Sequence, residues 1–293
     1  MEEKMKPYFL LSPMLIIIVG ILGFGIVNCI LQSLGYFPAV GLREITFKYY
    51  REVFTSADFI QSLNFSVYTS MVSSILSVVM GISIAYFILI SNKGNGVLNK
   101  IYRIPIIVPH TVVVLLVFNV LSQSGVISRI FYYMGIIKNT SQFPLFIFDR
   151  KGLGIITTYV WKEVPFIALV VYGTMSRVNK KLFEAALNLG ASKKRAFFYV
   201  VLPLIMPSVV SCFLIVFAFS FGSFEVPYLI GPTFPKALPV KAYIEYSNSD
   251  LTNRPYAMVI NTILIIITSI LIFLYERCFS LFWGKQDRKY DRK

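Results

Sequence analysis

Five stretches of this chain run for more than twenty residues each without an Asp, Glu, Lys or Arg: Pro7 to Leu42, Phe59 to Asn92, Ile104 to Ser128, Ala196 to Phe224 and Pro255 to Tyr275. A sixth, Gly152 to Ser176, is interrupted only by Lys162 and Glu163. A helix needs about 20 apolar residues to cross the hydrocarbon of a bilayer. Lipid offers an exposed backbone amide no partner, so segments this apolar must be helical and must pack together. Composition agrees, since 14% of residues are charged where soluble domains carry about 25%. The expected architecture is all-α, a polytopic membrane protein. It is a single domain over 1–293, a six-transmembrane-helix bundle with spans at about 8–32, 64–90, 104–122, 153–174, 201–222 and 256–280. The first run is too long for a signal-peptide core and no small-x-small cleavage site follows it, so it reads as an uncleaved helix.

A formal net charge of +14 raises nucleic acid as a partner, but the loops account for it. With the N-terminus placed inside, seventeen of the 28 Lys and Arg fall on inner segments and ten on outer ones, and Lys162 lies within a span. An excess of Lys and Arg marks the cytoplasmic side and attracts anionic lipid. The expectation is therefore a cell-membrane protein with both termini cytoplasmic, in contact with membrane lipid and with no nucleic-acid partner. Three cysteines, Cys29, Cys212 and Cys278, lie in or beside apolar runs without metal-ligand spacing, and read as packing residues.

The long connections fall outside, at about Gly35 to Ser62, Gln123 to Lys151 and Glu225 to Arg254. Their "GYFPAVG" and "GPTFPKALP" contain Pro and Gly that argue against regular helix. Inside, "SNKGNG" suits a tight turn, and a larger loop runs over about 177–200. There is no internal repeat, low-complexity tract or soluble domain.

That larger loop is polar where the rest of the chain is not. In "NKKLFEAALNLG" the apolar residues Leu182, Phe183, Ala186, Leu187 and Leu189 have the spacing of one helical face, and Lys180, Lys181, Glu184 and Asn188 lie opposite. Gly190 stands where a left-handed C-terminal cap favours glycine, and Ser192 where it can cap the next helix. Pro203 and Pro207 can then redirect the chain into the bilayer. Two readings are open: an amphipathic helix at the lipid surface, which is the commoner device, and a docking element for a cytoplasmic partner. Ala185, Ala186, Gly190 and Ala191 would let such a partner approach the backbone closely.

The segment resembles the cytoplasmic loop of permease subunits of binding-protein-dependent ABC importers of the type I fold. That pattern runs E-A-A, three residues, G, nine residues, I, any residue, L-P. Here it reads Glu184, Ala185, Ala186, Gly190, Val200, Leu202 and Pro203, with every spacing kept and Val in place of Ile. "GISIAYFI", "IPIIVP", "VWKEVPF" and "FGSFEVPYLIGP" resemble the same family. The resemblance implies that Glu184, Ala185, Ala186, Gly190, Ala191 and Pro203 belong to a coupling helix seated on a cytoplasmic ATP-binding cassette ATPase dimer. Other implied partners are a second permease subunit, in a heterodimer or a homodimer, and an extracellular or periplasmic solute-binding protein. No G-x-x-x-x-G-K-[S/T] phosphate loop occurs in the chain. This chain is thus expected to be no enzyme and to carry no cofactor, with ATP and Mg bound by the ATPase. "FEVPYLIGP" and the length resemble permeases for polyamines and the related opine, phosphonate, iron or thiamine group. The other classes weighed are a secondary transporter, expected to show inverted repeats and gapped helices, and a membrane enzyme, for which H-E-x-x-H and G-x-S-x-G are missing.

Ionisable residues inside a span are costly and are candidates for function by default. Lys162 and Glu163 lie about ten residues into the fourth span, roughly 15 Å from its outer end at 1.5 Å per residue, with Pro165 behind them. They and Glu225, at the outer end of the fifth span, are the substrate-path candidates. Against each stands a simpler role, pairing with another helix, snorkelling to the surface or an interfacial charge. His110, the single histidine, reads as a packed or capping imidazole. Asn119 and Asn261 read as hydrogen-bonding residues between helices.

Overall fold

A computed structural model describes residues 2–91, 104–178 and 180–282. The expected inner turn from Asn92 to Gly96, Asn179 and the basic run after Phe282 lie outside the described residues. The helices are α1 (Glu2–Ser33), α2 (Lys48–Thr55), α3 (Ala57–Ser91), α4 (Ile104–Ile107), α5 (His110–Leu121), α6 (Val126–Tyr133) and α7 (Leu153–Arg177). They continue with α8 (Lys180–Asn188), α9 (Lys193–Ala196), a π-helical turn Phe197–Val201, α10 (Leu202–Gly222), α11 (Glu225–Ile230), α12 (Leu238–Tyr246) and α13 (Arg254–Phe282). Six stretches are long and apolar enough to cross a membrane: Leu10–Ser33, Ala57–Ile90, His110–Tyr133, Leu153–Arg177, Lys193–Gly222 and Leu251–Leu274. No strand occurs among the described residues beyond one isolated bridge, Phe37 with Leu42.

The chain gathers into two compact units. The first comprises Met1–Ile60 and Leu238–Ile267. In it the chain leaves α1 through a turn at Gly35, whose φ of +84° is a left-handed conformation that glycine adopts freely. A Cβ there would also stand 2.9 Å from the Tyr49 ring. The Ser33 hydroxyl bonds to the Tyr50 hydroxyl at 2.7 Å, and Arg254 lies 4.0 Å from the Tyr246 ring centroid. Cys29 packs against α13, its sulfur 3.5 Å from the Thr262 hydroxyl. Asp250 accepts bonds from the Thr252 hydroxyl and amide, which hold its carboxyl below the ordinary value.

The second unit, Gln61–Ala237 with Thr268–Lys293, is built around α7. Twelve residues of that helix are buried, from Gly154 to Met175. On one side it meets α3, which presents a nearly continuous hydroxyl face: Ser62, Ser66, Thr69, Ser70, Ser73, Ser74 and Ser77 are all buried. In a bilayer no hydrophobic force drives helix against helix, and small side chains allow the close approach that dispersion requires. Gly81 on α3 shows how close this is, since a Cβ there would lie 2.7 Å from Ile167 Cγ2. The core continues through Ala85, Ile167, Val171 and Met175 to Phe197, Val201, Ile205 and Cys212.

The outer connections contain the short helices α2, α6, α11 and α12, which leave the two Pro- and Gly-rich stretches free of α-helix as expected, except that Leu238 and Pro239 open α12. "GYFPAVG" itself is a turn, with a short 3-10 helix at Pro38–Val40. Pro239 and Pro227 sit in the first turns of α12 and α11, where a missing N–H costs no intrahelical bond.

Because Ile167 is fully buried, it has no room to yield to a larger neighbour. Gly81→Val is expected to cost about 1–3 kcal/mol through overpacking and to lower the melting temperature of the purified protein by several degrees. Gly20→Val, where a Cβ meets nothing within 4 Å, should leave it unchanged in the same thermal scan.

Candidate functional site: a capped polar loop and a charged core

The inner loop begins with α8 and turns at Gly190, whose φ is +85°. The amide of Ala191 donates to the Ala186 carbonyl at 3.1 Å, and that of Gly190 to Leu187 at 2.9 Å. This paired arrangement closes a helix C-terminus around a left-handed residue. Ser192 then caps α9 by accepting from the Arg195 amide at 3.3 Å. Gly190 and Ser192 thus both serve as the sequence suggested.

The faces of α8 are divided differently from the single apolar face expected. Phe183, Ala186 and Leu187 are half-buried, and Phe183 packs against the core that contains Phe197 and Met175. Leu182 and Leu189 are 47% and 89% exposed, and exposed Ala185 lies between them. Positions 182, 185 and 189 share one helical face by their three- and four-residue spacing. The loop therefore presents a short apolar strip, with Glu184 and Asn188 exposed beside it. After α9 the chain makes the π-helical turn 197–201 and enters α10, with Pro203 in the first turn and Pro207 inside.

Lys162 and Glu163 lie on α7 and bond in different directions, as neighbours about 100° apart on a helix must. The Lys162 ammonium donates to the carbonyls of Pro105 (2.7 Å), Ile106 (3.1 Å) and Val108. These oxygens line the break between α4 and α5. Pro109 has no N–H to donate, which leaves the Pro105 carbonyl without its helical partner. An ammonium has three donors, and all three are used here. Glu163 is 5% exposed and joins three helices: Ser77 of α3 donates to Oε2 at 3.1 Å, and Ser220 of α10 donates to Oε1. Pro165 leaves α7 continuous.

The remaining candidates are dispersed. Glu225 is exposed in the first turn of α11, where a carboxylate is favoured by the helix dipole. His110, in the first turn of α5, packs its ring 4.9 Å from that of Phe219. Asn119 donates to the Leu115 carbonyl of its own helix at 2.8 Å, which is a different partner from the neighbouring helix expected. The serine face of α3, which supplies Ser77, was missed in the sequence; "SVYTSMVSSILS" carries its three- and four-residue spacing.

A nearly all-helical chain with six candidate spans and a capped helical turn on an inner loop has the architecture of transporter membrane subunits. The profile of the family described as "Binding-protein-dependent transport system inner membrane component" matches residues 60–280, and the chain belongs to that family. Among curated relatives, the spermidine/putrescine transport system permease protein PotB of Haemophilus influenzae is 30% identical over 161 residues, 55% of this chain and 54% of that protein. The match thus spans about half the length of that relative. Among solved structures, a bacterial ABC transporter involved in the import of the acidic polysaccharide alginate aligns with a TM-score of 0.73, covering 94% of this chain and 96% of that one at 20% identity. The alginate transporter in complex with an alginate pentasaccharide-bound periplasmic protein aligns equally well, at 0.73, covering 95% and 96% at 19% identity. At that identity the likeness is one of fold: that of type I ABC importer permeases.

Removing the Lys162 ammonium strands three carbonyls, and removing the Glu163 carboxylate strands two hydroxyls. Unmet buried polar groups cost about 1–3 kcal/mol each. Lys162→Met and Glu163→Leu should both lower the melting temperature in detergent by several degrees. Glu163→Gln, which keeps one oxygen to accept from one serine and can donate from its amide nitrogen to the hydroxyl oxygen of the other, should lose less than half as much.

Proposed function

We propose that this chain is a permease subunit of a bacterial ABC importer, and that it forms the translocation path for a small polar solute of polyamine type by ATP-driven alternating access. The observation that carries this reading is the inner loop. The motif from Glu184 to Pro203 coincides with a helix closed at Gly190, recapped at Ser192 and bearing an exposed strip at Leu182, Ala185 and Leu189. An isolated helix at the lipid surface would turn its apolar residues to the membrane and its charges to water. Here the half-buried residues already fasten α8 to the core, so the strip is left for a partner. That partner is the cytoplasmic ATPase dimer, which carries ATP and Mg. With six spans both termini share a side, and on this reading that side is the cytoplasm.

The second permease has support in α1, whose apolar window Leu10–Ser33 is only 6% buried. A solute-binding protein on the outer side is supported by the periplasmic protein bound in the alginate complex. Polyamine cargo is supported by the PotB likeness over half the chain; opines, phosphonates, iron and thiamine are the related alternatives. One observation bears on a secondary transporter, because the third span is gapped, as such proteins require. The carbonyls of that gap are taken by Lys162, which weighs against a coupling-ion site there.

Leu189→Glu alters an exposed side chain, and Gly190→Val forces a left-handed residue to carry a branched Cβ, which costs roughly 1–2 kcal/mol locally. Both variants should insert into the membrane at wild-type level while the ATPase retained through purification falls at least tenfold. If the ATPase co-purifies and uptake continues unchanged in both, the docking assignment is wrong.

A further inference from the structure

A cavity of about 150 Å³ lies in the first unit, lined by residues of α2, α3, α12 and α13, on the side that the loop charges assign to the outside. A protein cavity of about 150 Å³ accommodates a molecule the size of benzene, or six heavy atoms. Its floor is hydrocarbon: Val53, Phe59 and Ile260 are 6%, 0% and 1% exposed. Its rim is charged, with Glu52, Glu245, Tyr256 and Lys241 around the opening.

The charges on that rim do not balance. Lys241 is already paired with Asp58. Glu52 accepts from the Tyr256 hydroxyl through Oε2, and Oε1 lies 3.9 Å from Lys48. The Glu245 carboxylate is half-buried and has no hydrogen bond or ion pair among the described residues. Two carboxylates with unused acceptor capacity therefore stand over an apolar floor in a chain whose overall charge is +14. The ring of Tyr256, braced edge-on by Tyr49 at 5.1 Å, adds a surface that favours cations. A metal ion is a poor fit, since it requires a shell of several hard oxygen donors. No group of three His, Cys, Asp or Glu placed to hold one exists among the described residues. An occupant must instead combine a hydrocarbon body with donors at its ends.

We infer that this cavity is an outer binding site for a short aliphatic diammonium ion. Its methylenes rest on Val53, Phe59 and Ile260, one ammonium bonds to Glu245, and the other lies at Glu52. The site's role as a waiting position for cargo rests on the importer reading; its chemistry does not.

The test uses the full chain in lipid nanodiscs, with 1,4-diaminobutane as probe and binding followed by equilibrium dialysis. Saturable binding is expected, with n-butylamine at least tenfold weaker and 1,4-butanediol without effect. Glu245→Gln should weaken binding at least tenfold and Glu245→Lys should abolish it, both with the wild-type melting temperature, because that carboxylate holds nothing else. Absence of saturable binding to the wild type overturns the site, as do equal binding by both variants and displacement by calcium at equal concentration. Amine binding without amine uptake by the assembled system would overturn the polyamine cargo and leave the site standing. Amine uptake without binding here would do the reverse.

Discussion

The Lys162 ammonium closes a gap in the backbone of the third span, and the middle of the second unit depends on that closure. Hydrocarbon supplies no water to a carbonyl that has lost its helical partner. Pro109 of "IPIIVP" interrupts the ladder, and three oxygens are left facing α7. A charge would be expensive at this depth on its own, and so would the carbonyls; bonded together, each removes the other's cost. The central position of α7 follows from the same requirement, because it must face α4 and α5 with Lys162 and face α3 and α10 with Glu163.

Small and polar side chains, more than large apolar ones, decide how these helices approach one another. The serine face of α3 and the bare backbone at Gly81 bring two helices close enough for their surfaces to interlock. The large residues accumulate toward the inner end, where Phe183, Met175 and Phe197 meet. It is there that α8 joins the bundle, beside the paired rings of Tyr86 and Phe197.

Much of this was legible in the sequence, and the limits are physical ones. Charge-free length alone marked five candidate spans, the run broken only by Lys162 and Glu163 was the sixth, and the cap chemistry of Gly190 and Ser192 located the turn to the residue. Periodicity placed Leu182 and Phe183 together on one apolar face of α8, but adjacent positions diverge by about 100°, and only the neighbouring core decides which of them is covered. The short outer helices escaped notice because their apolar residues are set by tertiary contacts and their prolines fall in first turns, where proline does not break a helix. The bonds of Lys162 and Glu163 join residues 54 to 86 positions apart, a separation at which no local pattern operates.

The π-helical turn at Phe197–Val201 has a consequence for how the inner loop is geared to the fifth span. A wide turn of this kind accommodates one residue more than an α-helical turn, and one residue corresponds to about 100° of azimuth. The phase of α10 relative to α9 is therefore offset by that single residue. Ile205, Val209 and Cys212 point into the core because the offset is there. Were the turn to relax to α-helical winding, the whole inward stripe of α10 would rotate toward lipid with no change in any other part of the chain.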